Sequence, residues 1–402
     1  MKTLLLTNEY PPNTYGGAGV HVEYLSRELA KLMQVEVRCF GEQCSENGSL
    51  KVRGVPLAGK EIGAPKPLHS VFGAIQRSAD MSGMGVDADL VHCHTWYTHW
   101  GGILSKLAYG VPLIITTHSL EPLRPWKREQ LAGGYDFSLW VEKTALEMAD
   151  AIIAVSEGAK ADVLKHFQVP EDRVHVIHNG IDLQEFRKVE SHEALVRYGV
   201  PVDQPYVLFV GRITRQKGIQ YLIQALQYVD PDIPVVLCAG APDTPAIAAE
   251  IREAIDMVKM HRGQIYWIQE MLDKPSLIEM YSHAGVFCCP SIYEPFGIIN
   301  LEAMACEVPI VATAVGGIPE VVVDEVTGLL VPLDQHTEAP FTPKHPEMFA
   351  QDLADRLNQL MRDPALRLPM GQAGRLRAEE HFSWEAIARR TKHLYDGILA
   401  AT

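Results

Sequence analysis

The chain has 402 residues, of which 47% are hydrophobic and 21% charged, with a formal net charge of -14 at pH 7. This length exceeds one ordinary core, and the composition is that of a globular protein rather than a disordered one. The acidic balance excludes nucleic acid and anionic membrane as partners, because both demand a basic footprint, so any anionic ligand must be met by a few local cations.

Taken from the N-terminus, MKTLLLTNEYPP carries an apolar run too short for a signal peptide, and no later run approaches the ~18 apolar residues of a spanning helix. Seven cysteines (Cys39, Cys44, Cys93, Cys238, Cys288, Cys289 and Cys306) are scattered without a C-x-x-C pair, which fits a reducing compartment. The expectation is a cytoplasmic protein, neither exported nor membrane-spanning. Short apolar runs then alternate with amphipathic stretches: KTLLLT, VEVRCF, DLVHCH, PLIITTH, AIIAVS and VHVIHNG, then YVLFVG, PVVLCAG, QIYWI, GVFCCP and PIVAT. Helical patterns lie between most of them, for example over residues 20–32, 139–149, 218–228 and 247–260. The alternation predicts an α/β protein of doubly wound parallel sheets covered by helices.

Eleven such runs are too many for one sheet, and a charged, proline-bearing segment over residues 182–206 interrupts the rhythm. Two Rossmann-like domains are therefore predicted, residues 1–190 and 191–383. In the last helix, residues 384–402, Trp384, Ile387, Ala388, Thr391, Leu394, Tyr395 and Ile398 form one stripe, so that helix should pack against another element.

Ligands of open parallel sheets bind beyond the carboxyl ends of the strands, so the loops after each strand hold the candidates. After the first strand, Gly16, Gly17 and Gly19 lead into a helix, where backbone amides approach an anion. A dinucleotide fingerprint fails on spacing, since the loop is long and Val22 stands where the third glycine belongs; a flexible helix-opening loop is the simpler alternative. After YVLFVG, Arg212, Arg215 and Lys217 crowd a helix start and suit a diphosphate pocket, against the alternative of a solvated basic loop. After GVFCCP comes SIYEPFGIINLEAMA. There the amides around Phe296, Gly297 and Ile298 can meet phosphate or sugar oxygens, Glu294 can accept from sugar hydroxyls and Glu302 from a ribose diol. Alternatively Glu294 favours a helix dipole and Glu302 is a surface residue, although an unpaired carboxylate in so apolar a helix is costly.

His92, His94 and His99 surround HCHTWYTHW, and His118 ends PLIITTH. Metal is not expected, because the histidines crowd one strand end with no carboxylate partner, whereas Trp96 and Tyr97 suit a sugar-stacking cleft. Asp87 and Asp89 of DAD precede their strand and read as a turn, as do Asn179 and Gly180 of HNGID.

Taken together, EYPPNTYGGAGVH, HTWYT, THSLEPLRPWKREQLAGGYDFSLWVEKTAL, AVSEG, HNGID, VGRITRQKG and YEPFGIINLEAMA resemble family 4 of the retaining glycosyltransferases. Within it they look like the actinobacterial-type glycogen synthase branch, also described as ADP-glucose-dependent maltose-1-phosphate synthases. The similarity spans about residues 1–328, and SLEPLRPWKREQL narrows it to the branch. The resemblance implies a GT-B fold, two Rossmann-like domains facing across a cleft with the last helix returning to the first. It implies that Gly16 and Gly17 approach the donor diphosphate, that Arg212 and Lys217 hold it, that Glu294 binds the transferred hexose and Glu302 the ribose, and that His118 contacts the hexose. It further implies a hexosyltransferase that needs no cofactor or metal and moves glucose from ADP-glucose to an α-1,4-glucan or glucose 1-phosphate.

His94 and Trp96 are then expected on the acceptor side. Arg124 and Lys127, with Arg128, are candidates for an acceptor phosphate, against the alternative of surface cations on a loop. One departure weakens the donor assignment: classical starch and glycogen synthases carry K-x-G-G, whereas this chain reads Thr14, Tyr15, Gly16, Gly17. Transfer from UDP-glucose or GDP-mannose, a nonhydrolysing epimerase of the same fold and a noncatalytic sugar-binding protein are the rival readings. Nucleotide sugar and acceptor are the expected partners, with oligomeric state and domain arrangement left open by the sequence.

Overall fold

The structure is a computed structural model and describes residues 1–14, 16–57 and 62–401. Tyr15 of the glycine-rich loop lies outside them. The chain forms two compact units: Met1–Gly180 joined by the terminal helix Trp384–Ala401, and Ile181–Ser383. The first unit thus ends upstream of the boundary expected at residue 190.

The first unit holds strands β1 (Lys2–Thr7), β2 (Gln34–Phe40), β3 (Cys44–Asn47), β4 (Leu50–Val55), β5 (Leu90–His94), β6 (Leu113–Thr117), β7 (Ala151–Ala154) and β8 (Val174–Val176). Their order is β3-β4-β2-β1-β5-β6-β7-β8, all parallel except the β3–β4 pair. Helices cover both faces, which is why β6 (LIITT) and β7 (AIIA) are buried at every position. The second unit holds β9 (Tyr206–Arg212), β10 (Val235–Gly240), β11 (Ile265–Ile268), β12 (Ala284–Cys289), β13 (Ile310–Thr313) and β14 (Gly328–Val331). It is parallel throughout in the order β11-β10-β9-β12-β13-β14.

Three of these strands were not among the apolar runs. β3 is exposed at all four positions, β4 alternates apolar with charged residues at the sheet margin, and β14 is a short edge strand.

Each sheet reverses its strand order once near its centre, between β1 and β5 in the first unit and between β9 and β12 in the second. At such a reversal the two following loops diverge to opposite faces and leave a crevice beyond the strand ends. The glycine-rich loop follows β1 and the HTWYT segment follows β5. In the second unit the basic loop follows β9 and the Glu294 loop follows β12.

The terminal helix packs into the first unit's core. Trp384, Ile387, Ala388, Thr391 and Tyr395 are buried, and all of these but Thr391 cluster with Tyr24, Leu25 and Leu29 of the helix Gly17–Ala30. Trp384 stacks on Tyr24 with ring centroids 5.8 Å apart, and the Tyr395 hydroxyl lies 2.6 Å from His92 Nδ1. Because Ile387 is fully buried, Ile387→Ala should destabilise the first unit by about 2–5 kcal/mol. Hydrogen exchange should show lost protection in β1, β2 and β5 with β9–β14 unaffected.

Candidate active site

In the second unit, β9 delivers Arg212 at its last position, and Thr214 Oγ1 accepts from Lys217 N at 3.2 Å to cap the turn that follows. Gly218 ends this turn at φ +63°, and a Cβ there would lie 1.9 Å from the Pro290 carbonyl oxygen. Only glycine lets the basic turn lie against the chain leaving β12. Ile292 N donates to Gln216 O at 3.0 Å and stitches the two loops together. Lys217 Nζ is consequently 2.6 Å from Glu294 Oε2, and Ser291 Oγ donates to the same oxygen at 3.2 Å. Glu294 is 6% exposed. Its carbonyl accepts from Gly317 N at 2.9 Å, so the backbone is pinned as well.

Arg212 Nη1 is paired with Asp243 Oδ1 at 3.0 Å, whereas Arg215 pairs with the exposed Glu250 at 3.5 Å. Two of the three cations in the basic loop are therefore partly buried with carboxylate partners. The third belongs to the surface.

Gly297, at φ +91°, turns the chain into the helix Ile298–Ala305. A Cβ on Gly297 would lie 2.6 Å from Asn300 Nδ2. Asn300 is fully buried and both its amide atoms lack a partner. Phe296 is buried and Ile298 half-buried. Glu302 is 8% exposed and accepts from Tyr281 Oη at 3.0 Å. Burial pushes its carboxyl up to about 7, against the opposing pull of the Tyr281 hydrogen bond and of Lys274 and Lys217. The surface alternative for Glu302 is thereby removed.

In the first unit, Gly16 N donates to Glu9 Oε2 at 2.7 Å. The amide expected to face a diphosphate is thus occupied by a side-chain carboxylate, which stands where an anion would lie. Gly17 is exposed at the helix start. Thr95, at φ +68°, holds a strained conformation before the helix Trp96–Tyr109 and donates to Asn8 Oδ1 at 2.7 Å, tying the loops after β5 and β1.

Four histidines gather near these strand ends. His94 Nδ1 is 3.1 Å from His118 Nε2. The His21 ring centroid is 4.8 Å from that of His118 and 5.4 Å from that of His94. His21 Nδ1 donates to Asn179 Oδ1 at 2.6 Å, and His92 Nε2 lies 2.7 Å from Thr116 Oγ1. Burial holds His21 down to about 4 and His92 down to about 3, and burial with neighbouring rings keeps His94 and His118 well below the usual range. All four are neutral near pH 7, so the cluster offers hydrogen-bonding imidazoles rather than cations.

Two of the acceptor-side candidates lie in closed surroundings. His94 is fully buried, with His118 against its Nδ1. Trp96 is 3% exposed and stacked on Tyr97 at 4.1 Å, so its ring offers no open platform; Tyr97 is half-buried.

The loop after His118 is built on buried acids. Glu121 N donates to Glu142 Oε2 at 2.7 Å, and Ser138 Oγ donates to Glu121 Oε2 at 2.8 Å. Burial, reinforced by the charge of Glu121, pushes the Glu142 carboxyl well up. Arg124 Nη1 donates to Ser119 Oγ at 3.1 Å and lies 3.7 Å from Glu121 Oε1. Lys127 is buried with its Nζ 5.7 Å from the Tyr97 ring centroid. Arg128 is exposed in a pair with Asp136 at 2.6 Å and leaves the set. Asp89 accepts from Lys2 N at 2.7 Å and Asp87 pairs with Lys2 Nζ at 2.5 Å, a turn at the opposite end of the strands. His21, Asn179, Ser291 and Asn300 are the members that sequence reasoning missed. Asn179 is buried rather than merely a turn residue.

The model for Glycosyltransferase Family 4 matches residues 15–185, and that for Glycosyl transferases group 1 matches residues 191–339. The chain is 45% identical to the alpha-maltose-1-phosphate synthase of Mycolicibacterium smegmatis and 43% identical to that of Mycobacterium tuberculosis, each over the whole of both proteins. The chain belongs to the family 4, group 1 glycosyltransferases. Among solved structures, the sucrose-phosphate synthase of Thermosynechococcus elongatus superposes with a TM-score of 0.79 at 27% identity, covering both chains fully. The glycosyltransferase WaaG superposes at 0.71 over 97% of this chain and 98% of its own, with 16% identity. This glycosyltransferase is therefore a GT-B hexosyltransferase, and the epimerase and noncatalytic readings fall away. Among the described residues no helix is long and apolar enough to cross a membrane.

The raised carboxyl of Glu302 has a consequence for stability. The folded protein holds that proton from the ordinary value of 4.5 up to about 7, so stability falls as pH rises through this window and levels off above it. The full span corresponds to about 3 kcal/mol. Urea unfolding of Glu302→Gln between pH 5 and 8 should show a flatter profile than the parent.

Proposed function

We propose that the enzyme transfers glucose from ADP-glucose to glucose 1-phosphate with retention, forming maltose 1-phosphate, and extends short α-1,4-glucans as a second acceptor. The full-length likeness to two alpha-maltose-1-phosphate synthases supports the product class. The observation that carries the mechanism is the Lys217–Glu294 pair, with Ser291 on the same carboxylate oxygen.

Lys217 and Arg212 hold the donor diphosphate, aided by amides at Phe296, Gly297 and Ile298 where the helix Ile298–Ala305 begins. The incoming phosphates compete with Glu294 for the Lys217 ammonium. The released Glu294 carboxylate then accepts from hydroxyls of the hexose, and Glu302 accepts from the ribose diol. Gly16 and Gly17 approach the diphosphate once Glu9 gives up the Gly16 amide.

In the reaction the bond between the hexose anomeric carbon and the diphosphate oxygen breaks, and a bond from that carbon to an acceptor hydroxyl oxygen forms on the same face. The hydroxyl proton passes to the departing phosphate oxygen. The oxocarbenium-like transition state is favoured because the leaving charge meets fixed cations, and His118 contacts the hexose as a neutral imidazole. No metal is required for these steps. Arg124 and Lys127 take the phosphate of glucose 1-phosphate, with Arg124 oriented by Ser119 and Glu121. The seven cysteines are free thiols, which suits action in a reducing cytoplasm.

Incubation with ADP-glucose, UDP-glucose or GDP-mannose, each with and without acceptor, should give acceptor-dependent release of ADP alone. Equal rates with glucose 1-phosphate present or absent, with maltodextrin as competitor, would contradict the acceptor assignment. Glu294→Ala should lower kcat by ~100-fold or more with the fold intact. Arg124→Ala should raise KM for glucose 1-phosphate about tenfold while sparing KM for maltodextrin.

A further inference from the structure

His21 comes from the helix after the glycine-rich loop, His94 from the end of β5 and His118 from the loop after β6. Together they offer one ring nitrogen each, with the three nitrogens lying within 4.8 Å of one another. We propose that His21, His94 and His118 form a binding site for a divalent transition-metal ion of the zinc class.

Four observations carry it. The 3.1 Å between His94 Nδ1 and His118 Nε2 is close to the ~3.3 Å between neighbouring ligands of a tetrahedral site whose metal–nitrogen bonds are about 2.0–2.1 Å. The Nε2 atom of His21 is buried without a hydrogen-bond partner. Removing such a nitrogen from water with nothing in exchange is unfavourable, and a bound cation would supply the missing interaction. Asn179 Oδ1 accepts a hydrogen bond from His21 Nδ1 at 2.6 Å, which keeps the proton on Nδ1 and leaves the lone pair on Nε2. That is the arrangement by which an outer partner fixes the tautomer of a metal-binding histidine. His118 is only half-buried, so the trio is reachable from outside.

The donor set also selects the ion. Three imidazoles without a carboxylate suit zinc, cobalt or copper and not magnesium or calcium, which require oxygen ligands. His92 does not join them, because Tyr395 Oη and Thr116 Oγ1 already engage its two nitrogens. The site is formed within the first unit alone. An ion there occupies His118 and withdraws it from the hexose; this consequence, unlike the site itself, rests on the function proposed above, and makes the ion an inhibitor.

The test is titration of the full-length protein with Co2+, followed by visible absorption, and zinc-edge X-ray absorption of the Zn2+-loaded protein. One equivalent bound, with scattering from three imidazoles, is the expected result. His21→Gln should weaken Co2+ binding at least tenfold while its metal-free melting profile matches the parent's. No stoichiometric binding, or zinc without imidazole scattering, would overturn the proposal even if the variant misfolds. Zinc that binds as expected but leaves turnover unchanged would uphold the site and remove His118 from the hexose, which separates the two readings.

Discussion

A partly buried ion pair, Lys217 Nζ to Glu294 Oε2 at 2.6 Å, organises the candidate residues of the second unit. Two loops from neighbouring strands must meet for it to form, and the sheet reverses its strand order between those strands, β9 and β12. The glycine at 218 permits the approach, and the hydrogen bond from Ile292 N to Gln216 O fixes its depth. With Glu294 6% exposed, the attraction is screened less than in a surface pair, while loss of either partner would strand a poorly solvated charge. The pair thus serves the fold and the chemistry together. It keeps the cation and the carboxylate oriented at the end of the two strands.

The first unit follows a different rule. Its strand ends carry imidazoles that burial holds neutral, and its cations Arg124 and Lys127 sit over a buried pair of acids and an aromatic ring. The first unit's strand ends thus present neutral hydrogen-bonding groups, whereas the second unit's basic loop presents cations paired with carboxylates.

Much of this was legible in the sequence, for identifiable reasons. Strands covered on both faces read as unbroken apolar runs, so β1, β6 and β7 stood out, whereas the exposed β3 left no such trace. Glu302 drew notice because a carboxylate inside an apolar helix demands a compensating partner, and Tyr281 is that partner. The contact of His21 with Asn179 was invisible because the two meet across 158 positions and each reads as an ordinary local residue. The closure of Trp96 beneath Tyr97 and the capture of the Gly16 amide by Glu9 depend on how a loop folds over itself. Residue spacing encodes neither. The first unit runs to Gly180, where Trp384 and its helix rejoin its core, a long-range contact that the composition of residues 182–206 does not encode.

The account stands most directly on where a donor's phosphates bind in the second unit. A crystal structure with ADP-glucose should place diphosphate oxygens within hydrogen-bonding distance of Lys217 Nζ and the Arg212 guanidinium, with the Glu294 carboxylate turned onto hexose hydroxyls. A donor bound elsewhere while the Lys217–Glu294 pair remains closed would contradict it.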